Sequence, residues 1–313
     1  MKVYARHEKI QAFLQSQDLE GIEIVEHPKD CEYYISGRYS DATHTENLKG
    51  VIIPYTGHNG IDIESMKKHN LELYVTPTRS KYVAEKAVAL TLSLMGKLMK
   101  YHSLLKEGNW ADRNSPNRTP WVTLQGRTVG LFGYGRIGKG IHKLLSNFGC
   151  DFVTIDRNKE YPKDVKLVKN LINLVQVSDV IIISTPLNET TENIFDDSVI
   201  RQMKLKFLIN VGRGKIVNQK AIFEACKNKK MSGYASDVWY NYPKEHEQKF
   251  PSDYPIHELD NVILSNHSGG FTTDTNNEVN QDLIKTLLKL RDGNFEDQLD
   301  LQNLLWGESW KNY

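Results

Sequence analysis

Apolar residues along this chain fall into short β-branched runs separated by stretches with helical spacing. That is the pattern of parallel sheets covered by helices, an α/β fold. In the first third, residues 22–25, 31–35, 51–55 and 71–75 read as strands, with a helix over 61–69. Residues 82 to about 102 read as one long helix. Its apolar positions, among them Val83, Ala87, Leu90, Leu94, Met95 and Leu98, cover more than one face, which predicts burial on more than one side. A polar stretch rich in Asn, Ser and Pro, residues 106–120, marks a loop before a new unit. The alternation then restarts with a strand at 129–132, a helix at 136–148 and a strand at 152–155. Further strands are expected at 180–184, 207–210, 234–236 and 262–265, and a last helix from 272 to about 290.

Composition narrows the classes. A chain of 313 residues is long enough for two domains. Forty Lys and Arg against 39 Asp and Glu leave a net charge of +1, so no basic field is available to hold a nucleic-acid backbone. Cys31, Cys150 and Cys226 lie far apart and form neither a disulfide framework nor a CxxC pair, which suits a reducing compartment. The first nine residues are too charged for a signal peptide, and no apolar run approaches the roughly 20 residues that span a bilayer. A soluble, cytoplasmic protein is expected.

The segment richest in chemistry is Gly133-Tyr134-Gly135-Arg136-Ile137-Gly138, a GxGxxG directly after a strand and before a helix. Gly133 allows a tight turn, Gly135 lets backbone approach a pyrophosphate, and Gly138 lets helix and strand lie close. The helix starting at Arg136 presents unpaired N–H groups to the phosphates. The next strand ends at Asp156, near the spacing of about 20 at which a carboxylate meets the ribose hydroxyls. A carboxylate there repels a 2′-phosphate and favours NAD over NADP, although the adjacent Arg157 could meet such a phosphate. Beyond a later strand, Asn210-Val211-Gly212-Arg213-Gly214 places Arg213 where open α/β sheets bind ligands. A planar guanidinium there suits a 2-hydroxy acid, gripping its carboxylate and polarising the C2 oxygen. Two more strands end at Asp237 and at Asn266-His267, and His267 is the natural proton carrier.

The glycine loop, the strand-end acid, N-x-x-R-G, Asp237-Val238-Trp239 and His267-x-x-Gly270 stand in one order and spacing. Val83-Ala84-Glu85, Leu124-x-Gly126-Arg127-Thr128-Val129-Gly130 and Thr185-Pro186-Leu187-Asn188-Glu189-Thr190-Thr191 accompany them. From about Gly50 to Gly270 the chain resembles the D-isomer-specific 2-hydroxyacid dehydrogenases, a family that includes phosphoglycerate, glyoxylate, lactate, formate and phosphite dehydrogenases. The resemblance implies a Rossmann NAD-binding domain over residues 83–271 and a smaller flavodoxin-like substrate domain from 1–82 and 272–313, with a cleft between them. It implies that Arg213 binds the carboxylate, His267 moves the proton and Asp237 accepts from the nicotinamide carboxamide. Arg136, Ile137, Thr185, Pro186, Thr191, Val211 and Gly212 join the glycines, Asp156 and Arg157 as cofactor contacts. Tyr55, Thr56 and Gly57 resemble the loop that offers backbone N–H groups to the substrate. The helix near residues 83–102 is where the family forms homodimers.

The sequence departs from that family at three places. The position five residues after Asp237, usually Glu or Gln and paired with the histidine, is Tyr242. Tyr242 could hydrogen-bond His267, another acid such as Glu245 could take the role, or the tyrosine could simply pack. Asn266 stands where Pro is usual before the histidine, and Arg79 stands where Asn is usual. An extra cation at Arg79 could meet a second anionic group, as on a dicarboxylate or phosphoester, and speaks against formate; a plain surface arginine is the other reading. Two further functions stay open: an NAD(H)-sensing binding protein like the related corepressors, and a same-fold dehydrogenase acting on a non-carboxylate such as phosphite. His58 could touch ligand or be a surface histidine. No HExxH or clustered ligand spacing supports a metal, and Ser184 and Ser268 lack a nucleophile context. The tail around Leu304–Trp310 is expected to pack.

Overall fold

The computed structural model describes residues 1–55, 57, 60–76, 78–110, 113, 120–203, 205–245, 247–295 and 298–301. Thr56, His58, most of the polar loop (111–112 and 114–119) and the tail from residue 302 lie outside the described residues. The chain divides into two compact units: Met1–Tyr82 with the described chain from Gly270 onward, and Val83–Gly269.

The first unit opens with β1 (Lys2–Ala5), α1 (Glu8–Gln15), β2 (Glu23–Ile24), β3 (Tyr33–Ile35), β4 (Gly50–Ile53), α2 (Ile63–Lys68) and β5 (Glu72–Val75). Its sheet has the order β2-β1-β3-β4-β5, all parallel, which is the flavodoxin-like arrangement. β1 and α1 escaped the sequence reading. Three residues flanked by Lys2 and Arg6 give too short an apolar run to stand out, yet Val3 and Ala5 are buried inside the sheet.

α3 (Arg79–Met95) and α4 (Leu98–Lys106) follow. They correct the single helix expected here. Lys97 turns left-handed at φ 54°, and the Gly96 N–H closes on the Leu92 carbonyl at 2.8 Å. Gly96, a weak helix former read as interior, is where the chain stops one helix before starting the next.

The second unit carries β6 (Thr128–Phe132), α5 (Arg136–Leu145), β7 (Asp151–Ile155), β8 (Val165–Val168), α6 (Leu171–Val177) and β9 (Val180–Ile183). It continues with α7 (Asp197–Arg201), β10 (Phe207–Asn210), α8 (Gln219–Lys227), β11 (Gly233–Ser236) and β12 (Val262–Leu264). The parallel order β12-β11-β10-β9-β6-β7-β8 is doubly wound, reversing between β6 and β9. β9 is Val-Ile-Ile-Ile and wholly buried, as a central parallel strand covered on both faces must be. On β10, Leu208 joins one apolar cluster while Phe207 and Ile209 join the other, so the pleat feeds two layers. α5 buries Gly138, Ile141, His142 and Leu145, one helical stripe. Each such aliphatic side chain contributes roughly 1.5–3 kcal/mol by leaving water. β8 was missed because an edge strand buries only Val165 fully.

α9 (Thr275–Arg291) returns the chain to the first unit, where Leu283, Leu287 and Leu290 pack with Val3, Leu14 and Ile52. Among the described residues no helix is long and apolar enough to cross a membrane.

Candidate active site

The glycine loop hangs between β6 and α5 at the point where the sheet reverses. Gly133 has φ 108°, and a Cβ there would lie 3.0 Å from the Thr185 nitrogen. A Cβ on Gly138 would sit 2.2 Å from the Gly133 carbonyl oxygen, so helix and turn pack backbone to backbone. The Ser184 hydroxyl donates to that same carbonyl at 3.0 Å. Gly135 differs: it precedes α5, and nothing lies within 4 Å of where its Cβ would be. That open space, beside the free N–H groups of a helix start, suits a pyrophosphate. Arg136 is exposed and Ile137 half-buried on the first turn.

Further cofactor candidates line the same edge. Asp156 is exposed just past β7, and its carboxylate accepts the Asn158 N–H at 2.9 Å. Burial holds the neighbouring Arg157 below the ordinary guanidinium range. Thr185 is buried and its hydroxyl has no partner among the described residues; Pro186, beside it, is exposed. An unpaired buried hydroxyl beside a glycine cradle fits a polar ligand such as the dinucleotide. Thr191 is turned otherwise. Its hydroxyl donates to the Pro186 carbonyl at 2.8 Å and the residue is buried, so it shapes the 186–191 turn from within. Val211 and Gly212 are buried, and a Cβ on Gly212 would lie 2.7 Å from the Thr185 carbonyl oxygen.

The chemical residues gather at the ends of β10, β11 and β12. Asn210, fully buried, accepts the Gly212 N–H at 3.0 Å and donates to the Arg213 carbonyl at 2.9 Å. This turn aims Arg213, whose guanidinium also donates to the Gly212 carbonyl at 2.7 Å. Asp237, 3% exposed, accepts from the Ser265 hydroxyl at 2.5 Å, the Ser268 N–H at 3.1 Å and the Gly269 N–H at 2.8 Å. The Trp239 indole donates to the Ser265 carbonyl at 2.7 Å. His267 therefore sits on a loop braced from β11. Its φ of 57° is left-handed, a conformation uncommon outside glycine and concentrated at functional sites.

His267 and Arg213 interact electrostatically. Partial shielding from water, then the Arg213 guanidinium, hold the imidazole below its ordinary pKa, against an upward pull from Asp237. The hydrogen bond expected from Tyr242 to His267 is absent. The Tyr242 hydroxyl accepts the Trp239 N–H at 3.0 Å, and it is the ring that meets His267, centroids 5.5 Å apart. The short return from Trp239 to Tyr242 makes that backbone donor the nearer partner. Glu245 is exposed. Asp237, expected to face the carboxamide, spends three acceptor positions on the histidine loop, leaving little beyond the four or so a carboxylate has.

In the first unit, Tyr55 and Gly57 follow β4 and Arg79 opens α3, its guanidinium 5.5 Å from the centre of the Tyr55 ring. The sequence presents Asn210 only as part of a motif and Ser265 only as the end of an expected strand; an Asn at a strand end two residues before Gly is the available signal for the first. Sequence reasoning missed the chain Tyr134–His142–Asp164, with bonds of 2.6 and 3.1 Å, which ties the tyrosine of the glycine loop to α5. Among the described residues no group of His, Cys, Asp and Glu is placed to hold a metal.

Comparison with known proteins agrees with this geometry. Residues 88–269 match the family described as D-isomer specific 2-hydroxyacid dehydrogenase, NAD binding domain. A glyoxylate reductase of Korarchaeum cryptofilum is 26% identical over 293 residues, 90% of this chain and 86% of that protein. A mitochondrial formate dehydrogenase of Solanum tuberosum is 29% identical over 278 residues, 84% of this chain and 71% of its own. A solved NAD-dependent formate dehydrogenase from Staphylococcus aureus, in complex with NAD, has a TM-score of 0.73 and 26% identity, covering 96% of this chain and 99% of that one. Because the family match spans more than half of its length, the chain belongs to the D-isomer specific 2-hydroxyacid dehydrogenases and carries their NAD-binding Rossmann domain.

Proposed function

We infer that this oxidoreductase moves hydride between NAD(H) and C2 of a small 2-hydroxy or 2-keto acid, with Arg213 on the carboxylate and His267 as acid and base. The observation that carries this reading is the placement of Arg213 just past β10 and His267 just past β12, on either side of the buried Asp237 at the end of β11. When bound, NAD supplies the hydride acceptor and NADH the donor. Gly133, Gly135 and Gly138, the start of α5 and Thr185 would hold the phosphates, and Asp156 the ribose hydroxyls.

Arg213 binds the carboxylate and stabilises charge growing on the C2 oxygen. His267 takes the hydroxyl proton in oxidation and returns one in reduction. Its lowered pKa leaves the imidazole neutral at pH 7, the form oxidation requires; reduction draws on the protonated minority and so gains as pH falls. Asp237 and Asn210 act by holding the two loops. Tyr55 and Gly57 contribute to the substrate loop. The enzyme works as a homodimer, a reading supported by the exposed apolar Leu98, Met99 and Leu105 on α4. Sedimentation of Leu98→Lys/Met99→Lys is expected to give monomer where the unaltered chain gives dimer.

NADH consumption over glyoxylate, pyruvate, hydroxypyruvate and 2-ketoglutarate, with NAD reduction by formate and phosphite alongside, tests the reading. Turnover is expected with at least one 2-keto acid. Arg213→Ala and His267→Ala should each lower kcat/KM by about a hundredfold or more while NADH still binds. NADH binding without turnover of any substrate would favour a sensing role, and phosphite oxidation alone would move the activity away from carboxylates.

A further inference from the structure

The first unit holds a cavity of about 520 Å³ whose charged lining is cationic. Arg6 follows β1, Lys9 lies on α1, Arg38 follows β3, and Arg79 opens α3. No Asp or Glu lines it, and none of these four cations makes an ion pair with a carboxylate among the described residues. Asn276 and Asn280, one turn apart on α9, add amide groups. Ile10, Ile35 and Pro54 supply an apolar wall.

Arg79 is the telling member. Its Nε is buried without an acceptor among the described residues, and partial burial pulls its pKa down from the ordinary guanidinium value. Among the described residues the face of Tyr55 is the neighbour that stabilises its charge. Tyr55 is itself held in place: a Cβ on Gly37 would collide with the Tyr55 hydroxyl at 1.4 Å, so only glycine admits the ring there. Arg79 as a whole is half-buried, but an N–H of its guanidinium that is shut away from water without an acceptor costs free energy, and a ligand oxygen would offset that cost. Carboxylate and phosphate both match its planar fork.

We propose that this cavity binds the second anionic group of a dianionic 2-keto or 2-hydroxy acid, either a dicarboxylate or a phosphoester. The proposal rests on the 2-hydroxyacid dehydrogenase reading above, and Tyr55 links it to that reading, since Tyr55 belongs both to the cavity and to the substrate loop. Four cations from four separate elements exceed what a single carboxylate needs, and the cavity is roomy enough for a phosphate with its water.

The test compares matched substrates in the NADH assay: pyruvate against 2-ketoglutarate and oxaloacetate, and hydroxypyruvate against its phosphoester. The unaltered enzyme is expected to prefer a dianionic member by at least tenfold in kcat/KM. Arg38→Gln and Arg79→Met should each reduce that preference tenfold or more, chiefly through KM; whichever dianion loses most identifies the source of the anion. Inorganic phosphate binding, followed by thermal shift and by competition, should weaken in parallel in both variants, with NADH affinity and melting temperature verifying the fold. Equal losses on monoanionic and dianionic partners, or no preference at the outset, would overturn the proposal. If no 2-keto acid of either charge is turned over, the dehydrogenase reading fails instead. Phosphate binding that is lost in both variants would still uphold the anion site, and binding unaffected by them would end it.

Discussion

The two units treat charge in opposite ways. In the Rossmann unit the polar groups around the chemistry are already spoken for: Asp237 accepts three bonds from the histidine loop, and Asn210 bonds at both ends of its amide. In the smaller unit Arg6, Lys9, Arg38 and Arg79 line one cavity, and among the described residues no carboxylate lines it with them. The first arrangement pre-organises a reaction, because groups held by their own framework need not reorganise when charge develops. In the second, Arg6, Lys9 and Arg38 stay exposed to water while the buried Nε of Arg79 has no acceptor among the described residues, so the group is free to meet a ligand.

The sharpest test of that contrast lies in the glycine loop. Gly138→Ala drives a Cβ to 2.2 Å from the Gly133 carbonyl oxygen. Backbone must shift, at a cost of about 1–3 kcal/mol, and NADH affinity is expected to fall at least a hundredfold; denaturant unfolding and fluorescence titration measure the two. Gly135→Ala is the smaller change. Its backbone, at φ −83°, suits any residue and its Cβ meets no protein atom, so unfolding should move by less than about 0.5 kcal/mol. NADH affinity should nonetheless drop about tenfold, because the space is the cofactor's. Equal destabilisation by both substitutions would show that the loop has no room reserved for a ligand.

The pH profile gives the gentlest effect. The His267 imidazole is held below its ordinary range, so kcat/KM for reduction should decline as pH rises through a midpoint below about 6.5, and that for oxidation should rise through it. Tyr242→Glu puts a carboxylate where the tyrosine ring meets His267. An anion favours the protonated ring, so both midpoints should move upward and reduction should persist to higher pH. A profile unmoved by that substitution would place residue 242 outside the electrostatics of the site.

Which of these features the sequence disclosed depends on the range of the interaction behind them. Gly133, Gly135, Gly138 and Asp156 were legible because turn sterics, helix starts and strand ends are local, and their spacing alone carries the requirement. The buried runs of β9 and β10 were legible for the same reason, since a strand covered on both faces has little choice of composition. Arg213 and His267 could be named by type and by position after strands, yet nothing local says that they share a field. That follows from the order β12-β11-β10, which sets the ends of β10 and β12 on either side of Asp237.

Other features were settled only by folding. β1 and β8 are as long as β9, but each carries a lysine and leaves positions exposed, and a neighbouring strand is what makes them sheet. The direction of the Tyr242 hydroxyl was decided by the nearness of the Trp239 N–H, against a family pattern that pointed to His267. The cationic cavity draws on β1, α1, β3 and α3, elements spread over the first 79 residues, and on α9 near the far end of the chain. Each of its arginines and its lysine reads singly as an ordinary surface charge. Periodicity reports the environment of one element, whereas a side chain's partners are fixed by which elements meet, and that meeting is the work of the tertiary structure.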